Sequence, residues 1–315
     1  MKKALFNFIY DGILSRNIIL PFAKNNRFIF LLHDVSKKES LHHHPVYSTD
    51  IDIFQRMVLW MQKHFKMVSL DDITDENYVS NYPKNLASVV FDDGFNSLKE
   101  FVFPFLSGRD IPFTIFANQT AVQENWLWCS NLMMALNSND LDYLQKVFRH
   151  FVTNESISFE DFKKDPVTYL SDLKLLNDDY SIFKDEKFAK DKVYLDESDI
   201  KQLRAEGVKI GSHTRTHKHL STCSDKVILD EIVNNKKYLQ NLLNEEIEHF
   251  AIPFGFHTTY NDYAIDLAQK EHKFVYDTEK NRLKNNQKLL NRIGLQTESN
   301  AKLFSYVNYP IVRNM

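Results

Sequence analysis

The sequence predicts an α/β fold, a barrel of parallel strands with helical crossovers. Three observations predict it. Short apolar runs alternate with segments whose apolar residues recur at helical spacing, about seven such units in a row. No Gly-x-Gly-x-x-Gly fingerprint marks a dinucleotide-binding sheet. Residues capable of chemistry follow several apolar runs closely, which is where barrel enzymes carry their working groups.

The elements follow in order. Phe28 to Leu32 reads as a buried strand bounded by Lys24-Asn25-Asn26 and His33-Asp34. Ile53, Met57, Trp60, Met61 and Phe65 then fall at helical spacing, and Val68 to Leu70 reads as a short edge strand. Ala87 to Phe91 is a strand, a helix is expected from about Ser97 to Leu106, and Phe113 to Phe116 is the next strand. Asp199 to Glu206 reads as a helix stopped by Gly207, before a strand from Val208 to Ile210. A helix from about Asp225 to Leu243 precedes the strand Phe250 to Ile252, and one from about Asp262 to Lys270 precedes Phe274-Val275. Leu289 to Leu295 is the last expected strand. The rhythm breaks from about 123 to 195, a charged, aromatic-punctuated and mainly helical stretch, expected to be a cap inserted into a single domain spanning 1–315.

Composition narrows the function. The 315 residues carry a formal net charge of −3, with 43% apolar and 26% charged residues. These are values of an ordinary globular protein, without the basic footprint of a nucleic-acid binder. Two cysteines, Cys129 and Cys223, favour a reducing compartment over a disulfide framework, so a cytoplasmic location is expected. Near the N-terminus, Leu5, Phe8, Ile9 and Ile13 share a helical face. That stripe suits packing on the domain, or peripheral association with a membrane surface.

The chemistry concentrates in two motifs. Ser88-Val-Val-Phe-Asp-Asp-Gly94 ends an apolar run on two adjacent carboxylates, like charges that call for compensation by a cation or a catalytic task. Gly211-Ser-His-Thr-Arg-Thr-His217 offers imidazoles at i and i+4, which converge from one helical face or from the two ends of a tight turn. Two imidazoles and one carboxylate make a three-ligand metal site with open positions. The second carboxylate is then left to take a proton.

Phe91-Asp92-Asp93-Gly94, His213-Thr-Arg-Thr-His217 and Pro253-Phe254-Gly255 resemble the first three motifs of the polysaccharide deacetylases, carbohydrate esterase family 4. The resemblance implies a distorted (β/α) barrel and metal-dependent removal of acetyl groups from an N-acetylated sugar of a polysaccharide or glycan precursor. It implies Asp92 as general base, and Asp93, His213 and His217 as ligands of a divalent metal, zinc with cobalt or nickel as alternatives. The Phe254 amide N–H would help hold the oxyanion. Two departures stand out. The family's motif-three arginine is replaced by Ala251, and Arg292 in the last strand is the candidate substitute. The family's C-terminal Leu-x-His is absent, while Leu31-Leu32-His33 has that pattern and resembles a permuted variant with its histidine strand first. His33 is therefore the expected general acid, with Asp34 placed to orient it. Deformylase, O-acetyl esterase and non-catalytic glycan-binding activities use the same scaffold and stay open. His42-His43-His44 reads as a polar loop.

Overall fold

Parallel strands form a ring: β1 (Arg27–Leu32), β2 (Leu86–Asp93), β3 (Phe113–Ala117), β4 (Lys209–Ser212), β5 (His249–Ala251), β6 (Phe274–Asp277), β7 (Leu289–Asn291) and β8 (Ile293–Gly294). The computed structural model describes residues 27–37, 39–44, 47–82, 85–152, 158–172, 178–278 and 289–295. The expected N-terminal helix lies outside them. Hydrogen bonding runs β7-β6-β5-β4-β3-β2-β1-β8. The two ends of this path are separated in the chain only by Arg292. β7 pairs with β6 through Leu289↔Val275, and β8 pairs with β1 through Phe30↔Ile293. The expected last strand is thus one broken stave that touches both neighbours and brings the sheet round into a barrel of seven positions.

Strand alternation sorts side chains between two cores. Ile29, Leu31, Val90, Phe116, Ala251 and Tyr276 cluster inside the barrel. Phe28, Phe30, Leu32, Val89 and Phe91 face outward onto helix α1 (Ile51–His64) through Phe54, Met57, Val58 and Met61. Gly211 in β4 is required by this filling, because a Cβ there would stand 2.5 Å from the Phe116 ring.

Several boundaries differ from the sequence reading. The expected edge strand at Val68–Leu70 is displaced to Lys66–Met67, which pairs with Leu86-Ala87. Ser69 and Asp72 instead form a capping box that starts a helix at Leu70. The helix after β2 opens with a π-turn, Leu98–Val102. The long helix after β4 contains another, Asp230–Asn234. Between β3 and β4 come helices α2 (Trp128–Asn137), α3 (Leu141–Phe151) and α4 (Pro166–Asp172). Trp128 is fully buried against Tyr180, Phe183 and Phe254. Its bulk therefore serves packing and is not presented to a ligand.

Candidate active site

The end of β2 sets the site. Strand parity carries Asp92 inward with Val90, into the mouth of the barrel. On a regular strand Asp93 would face the opposite way. Its backbone turns left-handed instead (φ +72°), followed by Gly94 at φ +74°, and both carboxylates reach one spot. A non-glycine residue held there is strained, a feature that clusters at functional sites.

The two histidines come from a loop, not a helix. His213 follows β4, and Thr214 (φ +65°) and His217 (φ +56°) bend the chain so that the imidazoles lie 5.0 Å apart between centroids. The loop is braced from several sides. Asn118 donates to the carbonyls of His213 and Thr214, the second at 3.0 Å. Glu231, in the π-turn, accepts from the Thr216 N–H at 2.8 Å. Trp128 Nε1 donates to the His217 carbonyl at 2.8 Å. Asn235 ties the Ala117 carbonyl to Ser212 at 2.9 and 2.8 Å. The sequence reading identifies none of these supports. Asn118 follows an apolar strand as His33 does and was findable by that rule, whereas Glu231 sits in an ordinary amphipathic helix and gives no local signal.

The geometry fits a divalent cation. His213 Nδ1 lies 2.8 Å from the Ala251 carbonyl, so it carries the proton and Nε2 keeps its lone pair for the site. That Nε2 is 3.6 Å from both Asp92 and Asp93, and His217 Nε2 is 3.4 Å from Asp93. Asp93 Oδ1 and His213 Nε2 are buried without a hydrogen-bond partner. Burial lowers the pKa of His213, and lowers that of His217 well below its ordinary value, with His213 adding to the effect. Both imidazoles are therefore neutral, as metal ligands must be. Burial, and then the Asp92 charge, push Asp93 well above the usual carboxylate range. An anion so disfavoured wants a cation beside it. A second cluster, Asp71, Glu248 and His249, has the residue types but not the freedom. Both His249 nitrogens are engaged, by Tyr276 and Asp71, each at 2.7 Å.

Arg292, between β7 and β8, brings its Nη1 to 2.6 Å from Asp92 Oδ1, with the guanidinium carbon 5.3 Å from the Phe116 ring centroid. Asp92 and Arg292 are 2% and 1% exposed, a buried ion pair. Burial alone would raise the Asp92 pKa. The Arg292 guanidinium, through its charge and its hydrogen bond, outweighs it and holds Asp92 below its ordinary value.

Above these groups opens a cavity of about 420 Å³, lined by His33, Asp92, Asp93, His217, Phe254 and Arg292 among others. The stretch between β3 and β4 contributes Cys129, Ser130, Met133 and Thr168 to its wall. His33 Nδ1 is buried without a partner, and its pKa is pushed down to about 4, chiefly by burial. The expected His33–Asp34 pairing is not formed. Asp34 faces away and accepts from Ser48 and Ser97, each at 2.7 Å, pinning the segment after β1 to the start of the Leu98 helix. The histidines read as a loop do lie in one, and it folds over the cavity. His42 and His44 line the cavity, His42 lying 3.7 Å from Asp34 and His44 3.9 Å from Asp165. Phe254 is left-handed (φ +62°), with its ring 4.8 Å from His217. Gly255 cannot bear a side chain, since a Cβ would meet Thr278 atoms at 2.8–2.9 Å.

The family profile described as "Polysaccharide deacetylase" matches residues 80–274, more than half of the chain. The chain belongs to the polysaccharide deacetylase family. The matched span contains Asp92, Asp93, His213, His217 and Phe254, but neither His33 nor Arg292. Solved structures of deacetylases share the fold at low identity. The deacetylase PplD of Streptococcus pyogenes, in complex with acetate, is 16% identical with a TM-score of 0.57, covering 90% of this chain and 97% of that one. IcaB of Ammonifex degensii is 15% identical with a TM-score of 0.59 and the same coverages. The polysaccharide deacetylase BC0361 of Bacillus cereus is 13% identical with a TM-score of 0.57, covering 90% of this chain and 69% of its own. No protein of curated function matches the chain. Among the described residues, no helix is long and apolar enough to cross a membrane.

Proposed function

We propose that this family member is a metal-dependent hydrolase that removes the acetyl group from an N-acetylated sugar of a polysaccharide or glycan precursor. The observation that carries the reading is the grouping of Asp93, His213 and His217, with orphaned ligand atoms, around a second carboxylate paired with an arginine. Those three residues would hold the ion, zinc in the first instance, with cobalt or nickel suited to the same donors. When bound, a divalent ion supplies Lewis acidity toward a carbonyl and toward water. Asp92, kept ionised by Arg292, would accept the proton of the attacking water. The Phe254 amide N–H, with no acceptor among the described residues, would donate to the oxygen that gains charge as the tetrahedral centre forms.

His33 would then carry the proton to the departing nitrogen as the carbon–nitrogen bond breaks. Its depressed pKa means that it starts neutral and must receive that proton, which the water delivered to Asp92. The proton balance closes, because hydrolysis places one water proton on the amine. The stretch 123–195 would serve as the cap, closing the cavity from above.

The decisive experiment measures bound metal and acetate release from a panel of N-acetylhexosamine oligomers, before and after chelation. Activity lost on chelation and regained with zinc, cobalt or nickel is the expected result. A protein that binds none of these metals and releases no acetate would be a glycan binder at most. His33→Ala should keep its metal and lose most turnover, about a hundredfold or more. Undiminished turnover in that variant would remove His33 from the mechanism.

A further inference from the structure

Phe256 is an aromatic side chain whose exposure the fold itself does not explain. Six large hydrophobic side chains are exposed among the described residues, and of these only Phe256, at 54%, lines the cavity. The others are scattered over the surface, which is ordinary. Leaving an aromatic ring in water forgoes the gain from burying it, and the local chain half-buries such a ring two residues earlier. Phe254 packs inward against Trp128 and His217.

The exposure is not that of a loose loop. The Phe256 carbonyl accepts from the Thr259 N–H at 2.8 Å and from its hydroxyl at 2.7 Å. Thr278 clamps the preceding two residues, its N–H donating to the Gly255 carbonyl at 2.9 Å and its hydroxyl to the Phe254 carbonyl at 3.2 Å. Thr278 itself lines the cavity. The backbone that carries the ring is thus fixed at the cavity wall, with Met133 and Thr168 contributed by the capping stretch.

We propose that Phe256 is the stacking platform of a sugar-binding subsite, receiving the apolar C–H face of a hexosamine ring of the glycan whose acetyl group enters the cavity. The inference rests on the deacetylase reading for the identity of the glycan. Its physical basis is independent of that reading. A pyranose ring has one face of C–H groups and an edge of hydroxyls, and a rigid aromatic surface buries the first without desolvating the second. Such a platform binds without reacting, so its loss weakens ground-state and transition-state complexes alike and leaves kcat unchanged.

Phe256→Ala and Phe256→Trp test this. Equilibrium binding of N-acetylglucosamine oligomers is measured in an Asp92→Asn background, where the ligand is not consumed. Kinetics are measured with Asp92 intact, on the same oligomers and on 4-nitrophenyl acetate, which has no sugar. The alanine variant should bind oligomers roughly five- to tenfold more weakly, from the apolar area no longer covered. Its KM should rise by the same factor with kcat unchanged, its reaction with 4-nitrophenyl acetate should be unaltered, and tryptophan should restore binding. Oligomers that bind equally well with phenylalanine or alanine at position 256, or that bind neither, overturn the proposal. The two readings fail differently. Binding that depends on Phe256 without acetate release would end the hydrolase reading alone. Acetate release with an unchanged KM in the alanine variant would end the platform alone.

Discussion

Asp92→Asn should lower acetate release by roughly two to four powers of ten while leaving metal content unchanged. The two measurements separate because the neighbouring carboxylates have different settings. Asp93 has the buried, unpartnered oxygen next to both imidazoles, whereas Asp92 spends one oxygen on Arg292 at 2.6 Å. Asparagine has almost the same volume, and its carbonyl oxygen still accepts from the Arg292 guanidinium. The pocket should therefore keep its shape and lose only the group able to take a proton. Steady-state acetate release and metal analysis of the purified variant check this, and full activity in the Asp92→Asn protein would remove Asp92 from the base role.

Arg292→Leu should cost stability as well as activity. Removing one partner of a buried ion pair leaves an uncompensated charge, at about 3–5 kcal/mol. The pH dependence fixes the sign. The folded-state pKa of Asp92 lies below its ordinary value, so its ionised form stabilises the fold above the ordinary carboxylate pKa, and this contribution is lost as pH falls through the depressed value. Without Arg292, burial dominates and the pKa rises. The destabilisation should be greatest at neutral pH and shrink on acidification, as Asp92 becomes protonated. The acid limb of the activity profile should move to higher pH, because the base is now lost sooner. Denaturant unfolding at two pH values and a pH–rate profile read both effects. A variant with wild-type stability and an unshifted limb would show that the pair does not tune Asp92.

The parts of this site legible in sequence are those set by local pattern. Apolar runs of strand length and helical spacing locate the barrel staves, and the carboxylates and imidazoles announce themselves by following such runs. The parts that are not legible depend on left-handed backbone and on distant partners. Asp93 reaches the site only because φ turns positive after a regular strand, which no periodicity displays. Glu231 and Asn235 act through a π-turn that shifts helix register, so an amphipathic reading sees a plain helix. Adjacency assigns Asp34 to His33, but three-dimensional competition from the Ser48 and Ser97 hydroxyls captures it instead. The segment of His42 and His44 reads correctly as a loop, but its fold over the cavity is not legible, because it has little regular structure of its own.

The broken final stave has a consequence for biogenesis. Residues 289–294 both close the ring onto β1 and deliver Arg292 to Asp92. During synthesis, a chain that has emerged from the ribosome only through β6 has Asp92 and all three candidate ligands, but neither the seam nor the guanidinium. Its carboxylates would sit in an open, wet sheet edge with ordinary acidity. The partner of Asp92 therefore arrives in one step with topological closure, and a nascent chain lacking this stave would lack the guanidinium and the seam together.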